Sequence, residues 1–154
     1  MAVIHGNAVG IFVDPTGGTD PANANLVACA TSASFSLNNA TFEATCKADT
    51  AGALDDASVR HLGAGQQSWS MSVDGLVDLT AGSTGTESYV DLVQLALDRT
   101  EILVVFSDAT TGNKQYYGKG YISSVEATAS VDDFVTYSCS IDGTGELTAA
   151  DVPA

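Results

Sequence analysis

The chain has 154 residues and a formal net charge of −14, from 19 acidic and 5 basic side chains. That length suits one domain with a sizeable core, and 45% hydrophobic with 7% aromatic content belongs to a globular protein, not a disordered one. So acidic a surface repels nucleic acid and anionic membranes, which are held through Lys and Arg.

The longest apolar runs, Leu26 to Ala30 and Ile102 to Phe106, are far too short to cross a bilayer. The opening Met1 to Gly6 lacks the basic-then-apolar order of a secretory signal. Cys29, Cys46 and Cys139 are odd in number, far apart and each in an expected strand. They read as buried thiols acting as small hydrophobes. No C-x-x-C pair exists, so neither a metal nor a cofactor is implied.

In chain order, residues 1–25 form an N-terminal arm, a first strand over Val9–Val13 and a loop. Asp14-Pro15 ends the strand, and Thr16 to Asn25 is rich in Gly, Pro, Asp and Asn. Asp14 and Asp20 bracket Gly17-Gly18 at a spacing that suits turns, not a calcium loop. Leu26 to Thr31 reads as the next strand. Ala33, Phe35 and Leu37 then alternate with Ser34, Ser36 and Asn38. Asn38-Asn39 predicts a turn, after which Phe42, Ala44 and Cys46 alternate with Thr41, Glu43, Thr45 and Lys47. The expected product is a hairpin with apolar Phe35 and Phe42 in the core and a polar face of Ser34, Ser36, Glu43 and Thr45.

Residues 48–66 lose the alternation and carry Gly52, Gly63, Gly65, Asp55-Asp56 and Arg60-His61. A connection this long inside a compact domain tends to be functional. An Asp–His pair without a tied Ser or Cys nucleophile gives no catalytic frame, and no enzyme activity is expected. Trp69, Met71 and Val73 then alternate with Ser68, Ser70, Ser72 and Asp74.

Thr84-Gly85-Thr86-Glu87 fits a capping box opening a helix over about 84–99. Tyr89, Leu92, Val93, Ala96 and Leu97 make its apolar stripe. Glu101 to Ser107, containing Val104, is continuously apolar enough to be buried on both faces. Asp108 to Lys114 is a loop, and Gln115 to Gly118 returns.

In Gly118 to Thr148, Tyr121, Val125, Ala127 and Ala129 share one face and Ser124, Glu126, Thr128 and Ser130 the other. Val135, Tyr137, Cys139 and Ile141 alternate with Thr136, Ser138, Ser140 and Asp142. Ser130 to Asp133 joins the two as an antiparallel hairpin. Gly143-Thr144-Gly145-Glu146-Leu147-Thr148 follows, and 149–154 reads as a loose arm. The fold class is therefore mainly β, an antiparallel β-sandwich or barrel-like domain spanning 1–154 with one helix.

The order of these pieces resembles the tail tube proteins of long-tailed (siphovirus-like) bacteriophages over roughly Leu26 to Thr148. The resemblance rests on Glu43-Ala44-Thr45-Cys46-Lys47-Ala48-Asp49, then Ser68 to Leu76 ending in Asp-Gly-Leu, one helix, and Gly118 to Thr148. Departures are the scarcity of Lys and Arg and the missing Ser after Asp49. The resemblance implies a structural protein of the virion tail, made in the host bacterial cytoplasm. Its subunits would form hexameric rings that stack into the tube through which DNA is ejected. It implies tape measure, terminator and distal tail proteins as partners, DNA passing non-specifically, and no membrane. Under it, Asp55, Asp56, Arg60 and His61 become candidates for ring stacking. Ser34, Ser36, Glu43, Thr45, Ser70, Ser72, Glu126 and Thr128 become candidates for the lumen. Phe35, Phe42, Trp69, Met71, Tyr89, Leu92, Val104 and Tyr137 would form the core. The alternatives are another virion β-sandwich, a capsid decoration or baseplate element, or a surface binding module.

Overall fold

A computed structural model of the chain describes residues 3–4, 6–43, 62–82 and 84–153. Strands β1 (Gly10–Asp14), β2 (Asn25–Val27), β3 (Ala30–Glu43) and β4 (Leu62–Leu76) come first. They are followed by β5 (Thr86–Glu87), helix α1 (Tyr89–Asp98), β6 (Ile102–Ser107), β7 (Lys114–Thr128) and β8 (Thr136–Asp151). They make one sheet in the order β3-β4-β8-β7-β6-β1-β2-β5. Of the pairings with a described register, β2 with β5 is parallel and the rest are antiparallel. By internal contacts the chain falls into two compact units, residues 1–36 with 69–154, and residues 37–68.

In the larger unit, alternation along β4 and β8 puts Trp69, Met71, Val73, Tyr137, Cys139 and Ile141 into one core with Leu92 and Val104. Tyr89 packs on that core with its ring 5.6 Å from Tyr137. Phe35 closes it from β3, with its ring 5.7 Å from Tyr116 and 5.9 Å from Phe106. The sheet therefore curls until its edge strand touches β6 and β7. Strand β6 is buried on both faces, with Ile102, Leu103, Val104 and Val105 all sealed.

Several expectations are corrected. Strand β3 runs unbroken through Asn38-Asn39, where a turn was expected. In an unbroken strand the odd spacing between Phe35 and Phe42 sends their side chains to opposite sides of the backbone. Phe42 is 57% exposed and not a core residue, and Leu37 is exposed too. Residues 62–66, expected in a loop, begin β4, and β8 runs on to Asp151 where a loose arm was expected.

A bulge interrupts β7, so that Ile122 pairs with Ile141 but Ser124 pairs with Ser140. The extra residue switches the inward side. Ile122 and Val125 face the core, whereas Tyr121, expected inside, is exposed. Val135 precedes β8 and is also exposed.

Helix α1 starts later than predicted. Its capping box is Ser88 with Asp91, because Thr86 and Glu87 are spent on β5 and Glu87 accepts from Asn25 Nδ2 at 2.9 Å. Partial burial would raise the Asp91 pKa, but hydrogen bonds from the Ser88 and Gly82 backbone and the Ser88 hydroxyl outweigh it and hold it below 3.8. Leu97, expected on the buried stripe, is exposed and Leu95 packs inward in its place. Cys29, expected in a strand, sits exposed in a turn at φ 55°. Asp14 is occupied by the backbone and hydroxyl of Thr16, at 2.9 and 2.6 Å, and Asp20 by the Ala22 N–H, as turn chemistry requires.

Candidate assembly surface

One close contact of the larger unit joins residues far apart in sequence. A Cβ built on Gly143 would lie 2.0 Å from the Trp69 indole, and one on Gly118 would lie 2.5 Å from it. The two glycines leave the slot that the indole fills. The indole Nε1–H donates to the Gly145 carbonyl at 3.3 Å. Gly145 itself holds φ 73°, a conformation that favours glycine, in the stretch where the β7–β8 register slips. The Gly-Lys-Gly and Asp-Gly-Thr-Gly stretches are thus the two walls of a tryptophan slot.

The slot joins β4, β7 and β8, and with β3 these strands carry polar residues in cross-strand rows. Ser72 pairs with Ser140, and Ser140 with Ser124. Asp74 pairs with Ser138, and Ser138 with Glu126, while Thr136 pairs with Thr128. Ser70 pairs with Asp142. On β3, Ser34 and Ser72 hydroxyls lie 2.6 Å apart, and Ser32 donates to Asp74 at 2.8 Å. Paired residues point to one side of a sheet, so hydroxyls and carboxylates make a continuous face. The described cations lie elsewhere or are already paired. Lys114 meets Asp151 at 2.6 Å, Lys119 meets Glu101 at 3.6 Å, and Arg99 ends α1 in a left-handed conformation.

Both sides of this four-stranded face end in open backbone. Strand β3 is the terminal strand of the sheet. The described pairing of β6 with β7 stops at Gly120, so among the described residues Tyr121–Thr128 pairs with β8 on one side and with no strand on the other. Sequence reasoning missed that second edge because nothing in the alternation of β7 records where its neighbour ends.

Of the expected positions, Ser34, Ser70, Ser72, Glu126 and Thr128 share the polar face. Ser36 is exposed at the end of the larger unit's share of β3. Glu43 is exposed in the smaller unit, where Gln67 Nε2 donates to Asn39 Oδ1 at 2.9 Å and the Phe42 ring covers Gly63. Thr45, Asp55, Asp56, Arg60 and His61 lie outside the described residues. Among the described residues no group of His, Cys, Asp and Glu is arranged to hold a metal ion.

The sequence model of a family described as phage tail tube protein matches residues 7–149. A comparison with curated protein sequences gives no match. Among solved structures, the tail of an empty gene transfer agent particle, refined helically with C6 symmetry, superposes with a TM-score of 0.70 at 21% identity. That match covers 96% of this chain and 99% of the other. A chain in the virion of a native gene transfer agent particle gives 0.68 at 20% identity, over 96% and 99% of the two chains. The SPP1 tail tube gives 0.64 at 16% identity, over 99% and 81%.

Proposed function

This chain belongs to the phage tail tube protein family, and we propose that six copies close into a ring through the open edges of the β3-β4-β8-β7 face. The observation that carries this reading is that the polar face has a free edge on each side. The Tyr121–Thr128 edge of one copy meets the β3 edge of the next. Two different edges of one chain make a head-to-tail contact, the kind that closes rings. Strand β3 has no Pro, Lys or Arg over its 14 residues, and its single charge, Glu43, is at its last position, so the rest of the strand lacks the residues that blunt an edge. Once closed, the ring has no exposed edge on that face.

The polar rows then line the lumen. DNA sliding past Ser, Thr, Asp and Glu meets no cationic anchor. Stacked rings make the conduit for ejection, with tape measure, terminator and distal tail proteins at its core and ends. Contact between rings falls to the segment carrying Asp55, Asp56, Arg60 and His61.

Negative-stain microscopy and analytical ultracentrifugation test the reading. Purified protein at rising concentration should give rings and tubes. A stable monomer, even with the other tail proteins added, rejects it. Deleting residues 52–61 should leave a folded subunit that still closes rings but does not stack them, and normal tubes from that variant would remove the stacking role.

A further inference from the structure

At one end of the β7–β8 ladder, past the last described pair, Thr128 with Thr136, the connecting turn carries Val131-Asp132-Asp133-Phe134. Val131 is fully exposed and Phe134 is 78% exposed. The turn is fixed by its own chemistry, with the Phe134 N–H bonded to Asp133 Oδ1 at 2.8 Å. The Val77 N–H donates to Val135 O at 2.9 Å, which brings the loop after β4 alongside, and Leu79 in that loop is 79% exposed. Val131 and Phe134, two large apolar side chains exposed on one turn beside two carboxylates, offer a surface for another chain to cover.

The chain itself holds the complementary pattern. Val59-Arg60-His61-Leu62 sets an arginine and a histidine between two apolar side chains, as Val131-Asp132-Asp133-Phe134 sets two carboxylates. Arg60 is one of only five Lys and Arg residues in a chain of net charge −14. Leu62, the described member of the four, is itself 52% exposed.

We propose that the 131–134 turn is the landing surface for the next ring, and that its occupant is residues 59–62 of a second copy. The inference rests on the tube reading above and names the surface that the stacking segment meets. In a ring whose wall is a continuous sheet, neighbours within the ring lie across the strands and neighbours in the next ring lie beyond the strand ends. A turn at a strand end therefore faces the next ring. Each contact is repeated by every subunit, so a pair that is weak alone acts with the combined strength of all its copies.

Charge reversal with rescue tests this. Asp132 is exposed and Phe134 stands clear of the core, so Asp132→Arg and Phe134→Ser leave the subunit folded, as circular dichroism should show. Asp132→Arg, Arg60→Asp and Phe134→Ser should each give rings that fail to stack, raising the concentration needed for tubes by about tenfold or more. Combining Asp132→Arg with Arg60→Asp should restore tubes. If each single variant stacks like the parent, or the double variant stays as defective as the singles, the pairing is wrong while ring closure stands. If the unaltered protein forms no rings, the tube reading falls and this inference with it.

Discussion

Trp69 and Phe42 both lie over glycines, with opposite results. Trp69 fills the slot left by Gly118 and Gly143 and is 4% exposed. Phe42 lies over Gly63, with its ring where a Cβ would be, and is 57% exposed. The device is the same and the surroundings differ. Trp69 belongs to a core cluster that draws on several strands and on Leu92 of the helix. Phe42 belongs to a unit made of residues 37–68, in which the described strands form a two-stranded ribbon. Such a ribbon has little to bury against and is marginal alone. The first ring is sealed in the core, and the second leaves apolar surface exposed.

The sharpest way to break that contrast is to remove both rings in turn. Trp69→Ala should cost about 3–5 kcal/mol in urea unfolding, since a large cavity opens in the core. A cost within 1 kcal/mol would mean that the slot is not where stability resides. Next in size, Gly143→Ala forces a methyl group against the indole and should cost roughly 1–3 kcal/mol by overpacking. Most of that cost should vanish in a Trp69→Ala background, where a double-mutant cycle isolates the contact. Phe42→Ala should change subunit stability by less than about 1 kcal/mol, because its ring is already largely in water. If it matches Trp69→Ala, the two rings are equivalent after all.

A thiol probe sharpens the same distinction between sealed and open regions. In a Cys46→Ser chain, Cys29 should label at once. Cys139 should wait for unfolding, because burial pushes its thiol up to about 12 and leaves almost no thiolate.

The smallest effect concerns Asp91. Its depressed pKa means that its contribution is complete above the ordinary 3.8 and is lost as pH falls below that value through the folded-state pKa. Asp91→Asn should therefore flatten the acid limb of the stability curve, and an unchanged acid limb would mean that the Ser88 and Gly82 contacts to it carry no weight.

Much of this was legible in the sequence. Period-2 alternation marked the buried sides of β4 and β8, and the apolar run at 102–107 announced a strand sealed on both faces. What alternation could not show was where it is interrupted. The bulge between Ile122 and Ser124 is set by the register against β8, so Tyr121 read as an inward residue although it faces out. Asn38-Asn39 has the chemistry of a turn but is carried straight through by its pairing in the sheet. The capping box was placed one turn early because Glu87 has a partner in Asn25, 62 residues away. The tryptophan slot was visible only as two glycine-rich motifs and a tryptophan, with nothing local to say that they touch. Asp55, Asp56, Arg60 and His61 remain a proposal that the assembly experiments decide.

The polar rows of β3-β4-β8-β7 have a consequence for forces inside a tube built from them. DNA adheres to proteins largely because Lys and Arg displace the ions condensed on its phosphates, and release of those ions supplies the entropy of binding. A wall of hydroxyls and carboxylates displaces none. The duplex would travel with its ion atmosphere intact, separated from the wall by its own cations and by water. Drag in such a channel comes from the viscosity of that thin layer, not from the breaking of bonds, and does not rise with the length of the tube through accumulated attachment.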